Sequence, residues 1–302
     1  MHLWGIDLGG TKIEGTIIDP SQPNHALCRL RLPTEANLGY DHVINQIGRL
    51  VGQLKKESGL PYPPAVGLGT PGVVEPATGL MKNSNTVCLN KRALPKDLST
   101  KLGMNAHVAN DANCFALAEA TLGAAKNRRV VLGLIIGTGT GAGIVVNGQI
   151  LTGCHGIAGE WGHNPIADEK TPCYCGKAGC VETVIAGPSL ERFYFGLTGV
   201  ALRLPEIVRL AGSRDPSAMA TLDRLRAKFA QAIAAVLNIL DPDVVVIGGG
   251  VGNLDLLYED ETRAAIVRHL FNSELNTEFL KPALGDSAGV FGAALLTAQN
   301  TG

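Results

Sequence analysis

Three of the chain's seven cysteines, Cys173, Cys175 and Cys180, fall in one short stretch, "PCYCGKAGCVE", and His163 closes the motif "GEWGH" just upstream. Three thiolates and one imidazole are a familiar ligand set for a structural, tetrahedral Zn²⁺. Free thiols are the competing reading, because Cys-x-Cys is not the commoner Cys-x2-Cys knuckle. A redox pair is disfavoured, since no Cys-x-x-Cys occurs. Four protein ligands leave no open position for water or substrate, so such a metal would hold structure and not act as a Lewis acid.

A second kind of chemistry is written in two glycine-rich turns. "DLGGTK" sets Asp7 before Gly9, Gly10, Thr11 and Lys12, and "GTGTGAG" contains Gly137, Thr138, Gly139, Thr140 and Gly141. Glycines let backbone amides approach a phosphate, and a hydroxyl or ammonium adds to the cradle. A tight hairpin turn is the alternative for either one alone; two copies in equivalent places favour phosphate. A P-loop is excluded, because the one Gly-Lys pair, Gly176-Lys177, is followed by Ala178. A dinucleotide fingerprint needs strand, turn and helix, and here both turns return into strands. "GGGVGN", with Gly249 and Gly250, is a weaker candidate for the adenosine side. Asp111 follows a strand and opens a helix. Its position suits a helix cap, and its chemistry suits a general base for phosphoryl transfer to an alcohol. Asp7 is placed to orient hydrated Mg²⁺, or simply to form its turn.

The elements that must position these groups alternate between strand and helix. A buried strand over residues 3–6 runs into the first turn and returns as an alternating strand over 13–18. Val43, Ile47, Leu50 and Leu54 recur at helical spacing, which predicts a helix over 41–54 with Asp41 as N-cap. "AVGLGTPGVVEPATGLMKNSN" predicts a strand, a turn and a hairpin. "NAHVAND" is a short strand and "ANCFALAEATLG" a helix stopping near Gly123. "VVLGLIIGTGTGAGIVVNGQIL" then repeats the opening pattern, with a hairpin at Asn147-Gly148. Residues 186–240 are mainly helical, with breaks near Gly199 and at Gly212-Ser213. "VVVI", residues 244–247, is a strand buried on both faces. "GDSAGVFGAALLTAQ" is a turn and a helix. Two copies of one unit about 130 residues apart predict a duplicated α/β core with a cleft between its halves.

The chain of 302 residues is 45% apolar and 18% charged, which suits a globular protein large enough for two domains. Its net charge of −1 gives no basic field for nucleic acid or an anionic membrane. No apolar run of spanning length and no signal peptide is read, and the odd number of cysteines argues against a disulfide framework, so a cytoplasmic location is expected.

Taken together, these motifs resemble the ROK sugar kinases of the hexokinase–actin–heat-shock ATPase superfamily. "DLGGTK" and "GTGTGAG" look like the family's phosphate loops. "NDAN" looks like its catalytic segment, "GEWGH" and "CYCGKAGCVE" like its sugar and zinc motifs, and "DPDVVVIGGG" like its adenosine-side segment. The resemblance implies a ribonuclease-H-like, actin/hexokinase-type two-domain α/β fold. Residues 1–111, completed by a C-terminal helix at about 288–302, would form the small domain, and 112–287 the large domain with the zinc site.

It implies ATP-dependent phosphorylation of a hexose on its terminal hydroxyl, with Mg²⁺ and structural Zn²⁺. Asp111 would be the base. Asn110, Asp111, Glu160, His163 and Glu182 would bind sugar, with Asn83 or Asn85 nearby. His163 would serve zinc through one ring nitrogen and sugar through the other. The stretches "NSNTVCLN", "AGEWGHNPI" and "PCYCGKAGCVET" most resemble the fructokinase (manno-fructokinase) branch, so D-fructose, with mannose, is the expected sugar. Glucokinase and N-acetylglucosamine kinase branches share the core motifs. A homodimer is expected, as is common in the family. Two other classes are disfavoured. Sugar-responsive repressors carry an added N-terminal DNA-binding segment, for which a strand starting by Leu3 leaves no room. Actin-like assembly ATPases lack the sugar acids and the cysteine cluster.

Overall fold

Residues 2–22 and 25–299 are described by the computed structural model. Strands β1 (Leu3–Leu8) and β2 (Lys12–Ile18) form a hairpin about the first glycine turn, and β3 (Ala26–Pro33) adds an edge strand. Helix α1 (Tyr40–Ser58) follows, then β4 (Ala65–Thr70), the short pair β5 (Val73–Val74) and β6 (Met81–Lys82), helix α2 (Leu94–Leu102), β7 (Asn105–Asn110) and α3 (Asp111–Thr121). The second half begins with β8 (Val130–Ile136), β9 (Thr140–Val146) and β10 (Gln149–Ile150). Helices α4 (Glu182–Ile185), α5 (Gly187–Thr198), α6 (Leu204–Gly212) and α7 (Pro216–Leu240) precede β11 (Val244–Gly248). Then come α8 (Gly249–Gly252), α9 (Asp260–Val267), β12 (Glu278–Leu280) and α10 (Ala288–Gln299).

The duplication is explicit in the sheets. The first has the order β3-β2-β1-β4-β7 and the second β10-β9-β8-β11-β12. β1 pairs antiparallel with β2, and β4 pairs parallel with β1 and β7, as β11 pairs parallel with β8 and β12. The Asn147-Gly148 hairpin has φ of 51° and 76°, the doubly left-handed turn its sequence predicts.

The chain divides into two compact units. Unit 1 is Met1–Asn127, Gly143–Ala158 and Ala283–Gly302; unit 2 is Arg128–Ala142 and Gly159–Pro282. The expected boundary after residue 111 therefore falls differently, because α3 packs on α10 and stays with unit 1. Residues 300–302 of the expected terminal helix lie outside the described residues.

Unit 1 is built around Trp4, Ile6, Leu8, Ile13 and Ile17 of the sheet against Val43, Ile47, Leu50 and Leu54 of α1. Those four α1 residues are the ones the helical spacing selects. The helix is longer than expected, however, and its N-cap is Gly39 in place of Asp41, which lies inside the first turn. On the other side, α10 lies against β1 and β4 at backbone distance. A Cβ at Gly67 would stand 1.7 Å from Ala293 O, and one at Gly292 would stand 1.8 Å from Cys114 O of α3. These glycines let β4, α10 and α3 stack without side chains between them. The stack fixes the strand ends and the helix start that carry Asp7 and Asp111.

In unit 2 the fully buried β11 and the long α7 form the frame. Helices α5, α6 and α7 break near Gly199 and after Gly212, where the sequence places the breaks.

Candidate functional site

In unit 1, Asp7 is the next-to-last residue of β1 and Asp111 begins α3. The cap of α3 is Asn110, whose Oδ1 accepts from Ala112 N at 2.9 Å, while its Nδ2 donates to Gly72 O at 3.2 Å. Asp111 Oδ1 accepts from the same amide at 2.8 Å. With Asn110 as the cap, the carboxylate of Asp111 has oxygen lone pairs beyond those the helix uses. Burial against water, then the nearby charges of Asp111 and Glu14, push the Asp7 carboxyl up to about 6. Loss of hydration raises Asp111 as well, against the hydrogen bonds it accepts. Two carboxylates that resist ionising together are a donor set suited to a hard cation such as Mg²⁺.

The first glycine turn is open: Gly10, Thr11 and Lys12 are exposed. Lys12 Nζ lies 3.6 Å from Glu14, a buried carboxylate also bound by Arg29 and Arg31. Burial would raise Glu14, but hydrogen bonds from the two guanidinium groups hold it below its ordinary value. Arg29 and Arg31 were missed although Cys28-Arg29-Leu30-Arg31-Leu32 alternates as a strand does, because their role comes from Glu14 on the neighbouring β2.

Asn83, with φ of 57°, and Asn85 are both exposed on the loop after β6. That loop is pinned by Asn90, which accepts from Ser84 N and donates to Ser84 O, each at 2.9 Å. Thr86 Oγ1 is buried without a hydrogen-bond partner among the described residues and 4.0 Å from the place of a Cβ on Gly10.

In unit 2, Gly137, Gly249 and Gly250 come together. Gly137 O accepts from Gly187 N at 2.8 Å, and a Cβ on Gly137 would stand 3.9 Å from Gly250 N. Gly249, with φ of 83°, sits directly on Ile136. The start of α5 at Gly187 therefore joins the second turn, which no motif in the sequence announced. Glu182 Oε2 accepts from Thr140 N at 2.8 Å.

The four zinc candidates converge. One ring nitrogen of His163, and Sγ of Cys173, Cys175 and Cys180, all lie within 4.8 Å of one another. Cys173 Sγ is 3.6 Å from His163 Nδ1, and Cys175 Sγ is 3.5 Å from Cys180 Sγ. Sulfur ligands about 2.3 Å from a tetrahedral metal would stand about 3.8 Å apart, so this cluster fits zinc.

Backbone builds it. Cys173 N donates to Lys177 O at 2.8 Å, Gly176 and Gly179 turn with φ of 86° and 71°, and Ile166 N donates to Gly179 O at 2.8 Å. The Lys177 amide, the largest influence on it, helps hold the Cys175 thiol below its ordinary value. Trp161 anchors the preceding turn to α7 by donating from Nε1 to Ala232 O at 3.1 Å.

The other nitrogen of His163 is engaged by a residue the sequence did not single out. Tyr174 Oη lies 3.0 Å from His163 Nε2, and the rings meet edge to face with centroids 5.2 Å apart. Tyr174 is 80% exposed, and Glu182 and Glu160 are close enough to act on its phenol electrostatically.

The ROK family model matches residues 3–300. The chain belongs to the ROK family. N-acetyl-D-glucosamine kinase of Histophilus somni (strain 129Pt) is 36% identical over 304 residues, covering 97% of this chain and 98% of that protein. The ROK hexokinase from Thermus thermophilus superposes with a TM-score of 0.84 at 31% identity, covering 98% of this chain and 97% of the other. The ROK family glucokinase from Streptomyces griseus, solved with glucose and AMPPNP, gives 0.77 at 26% identity, covering 99% and 100%. The chain is a ROK-type sugar kinase with the α/β architecture of the ROK hexokinases. No helix among the described residues is long and apolar enough to cross a membrane.

Proposed function

We propose that this ROK kinase transfers the γ-phosphate of ATP to the 6-hydroxyl of a hexose, with Asp111 as the base. The observation that carries the reading is the carboxylate of Asp111 beside Asp7, both raised toward protonation, on the rigid stack of β1, α3 and α10. A carboxylate raised by loss of hydration is a stronger base toward a hydroxyl proton than an ordinary one, and Asp111 has lone pairs beyond those that cap the helix. In the step, the sugar oxygen bonds to the γ-phosphorus, the bridge to the β-phosphate breaks, and the hydroxyl proton passes to Asp111. Mg²⁺ bound near Asp7 would supply charge neutralisation at the phosphates. Backbone amides of Gly9, Gly10, Thr11 and of residues 137–141 would hold phosphate oxygens, Lys12 would add charge, and Gly249 and Gly250 would border the adenosine.

Glu160, Glu182, Asn110, Asn83 and Asn85 are the proposed sugar ligands; His163, whose Nε2 is engaged by Tyr174 Oη, would join them only where a sugar hydroxyl displaces that phenol. Zn²⁺ on His163, Cys173, Cys175 and Cys180 would fix the loop that presents Glu160 and Glu182, and takes no part in bond breaking.

For the sugar, N-acetyl-D-glucosamine is the first candidate, because that is the named substrate of the Histophilus kinase. D-fructose is the second reading, supported by the stretches "NSNTVCLN" and "PCYCGKAGCVET". A panel of N-acetylglucosamine, fructose, mannose and glucose with ATP, read as sugar-dependent ADP release, separates them. Asp111→Asn should lower kcat on the active sugar by roughly 10²–10⁴ with the fold intact. Near-normal turnover in that variant would remove Asp111 from the role.

A further inference from the structure

The second glycine turn already has one amide filled by an anion. Glu182 Oε2 accepts from Thr140 N at 2.8 Å, and the same oxygen is 2.7 Å from the place a Cβ would take on Gly139. Gly139 thus leaves room for this carboxylate, which lies over the turn. The neighbouring hydroxyl, Thr140 Oγ1, is buried and has no hydrogen-bond partner among the described residues. On its other side the turn is braced: a Cβ on Gly162 would stand 2.1 Å from Thr140 O, so the "GEWGH" segment lies directly against it. The backbone of Glu182 is held as well, since its carbonyl accepts from Ser189 Oγ at 2.9 Å. What can change is the Glu182 side chain.

We infer that Glu182 couples the two substrates: its carboxylate occupies the Thr140 amide until hexose hydroxyls draw it away, which frees that amide for a nucleotide phosphate. The inference rests on the hexose-kinase reading above. A backbone amide has one hydrogen to donate, so it cannot fully serve a carboxylate and a phosphate oxygen together. Two anions at one amide also repel. Hydroxyls donating to the carboxylate replace the hydrogen bond it loses. Binding of sugar then strengthens binding of nucleotide, and by linkage the reverse holds by the same factor.

The test is the Kd of a non-hydrolysable ATP analogue, measured with and without saturating sugar. In the natural chain, sugar should tighten the analogue about tenfold. In Glu182→Gln the carboxylate charge is gone. The sugar-free protein should bind the analogue nearly as tightly as the sugar-bound natural chain, and sugar raised to saturation should add little. Glu182→Ala should give the same pattern, and circular dichroism checks that each variant is folded. If Glu182 were only a sugar ligand, the sugar-free Kd would stay unchanged in both variants and sugar would still tighten it; that result overturns the coupling alone. If the natural chain bound no analogue under any condition, the kinase reading would fall and the coupling with it.

Discussion

Asp7 and Asp111 are acids of one unit whose environments oppose their ionisation, and the sign of that opposition makes a test. The Asp7 carboxyl, pushed up to about 6, is disfavoured as the anion in the fold relative to the unfolded chain. Its ionisation therefore costs stability fully above the folded value, and the cost fades as pH falls through 6 toward the unfolded value. Asp7→Asn removes that cost. The variant should melt higher than the natural chain by about 3 °C at pH 8 without Mg²⁺, converge with it near pH 4, and lose kinase activity. Equal melting points at pH 8 would contradict the electrostatic account. At this scale much was legible: acid, glycine pair and lysine in "DLGGTK", and the acid after a strand in "NDAN", are signals carried by residue type and spacing. Tyr174 was not legible, because its meaning comes from a 3.0 Å approach to His163 Nε2 that spacing does not specify.

Among elements, the candidate zinc loop is the clearest case of local sequence dictating shape. Gly176 and Gly179 turn left-handed, two isolated bridges, Pro165 to Cys180 and Pro172 to Ala178, close the loop, and four ligand atoms arrive within 4.8 Å. Glu182 follows directly as the first residue of α4. Cys175→Ser should lose bound metal, measured by atomic absorption. If zinc aims Glu160 and Glu182, the sugar KM should rise about tenfold or more while the ATP KM changes little. A metal-free Cys175→Ser with unaltered sugar KM would disconnect zinc from sugar binding. The elements hardest to read were β3 and α2. β3 is an edge strand carrying Arg29 and Arg31, whose partner Glu14 lies on another strand. α2 spans nine residues with only Leu94 and Leu98 fully buried, too few for a helical period to stand out.

For the whole molecule, duplication was readable because both copies keep a buried strand, a glycine turn and a returning strand. The sheets repeat one strand order, although the sequence between copies diverges into α4 to α7 on one side only. The unit boundaries were less readable, since they depend on which helix α3 packs against. Each unit nonetheless carries its own optical reporter. The chain has two tryptophans: Trp4 is 1% exposed in the β1 core of unit 1, and Trp161 is 4% exposed in the turn that leads into His163, a candidate zinc ligand, of unit 2. Trp4→Phe leaves Trp161 to report unit 2, and Trp161→Phe leaves Trp4 to report unit 1. Chelation should lower the melting transition seen by Trp161 on the order of 10 °C, because loss of a structural metal removes folding free energy from the unit that binds it. The transition seen by Trp4 should move less. Gly67→Ala should do the opposite. Its added methyl meets the Ala293 carbonyl, and overpacking of this kind costs about 3 kcal/mol, so the Trp4 signal should shift more than the Trp161 signal. Identical shifts of both reporters under both perturbations would mean that the chain unfolds as one cooperative body.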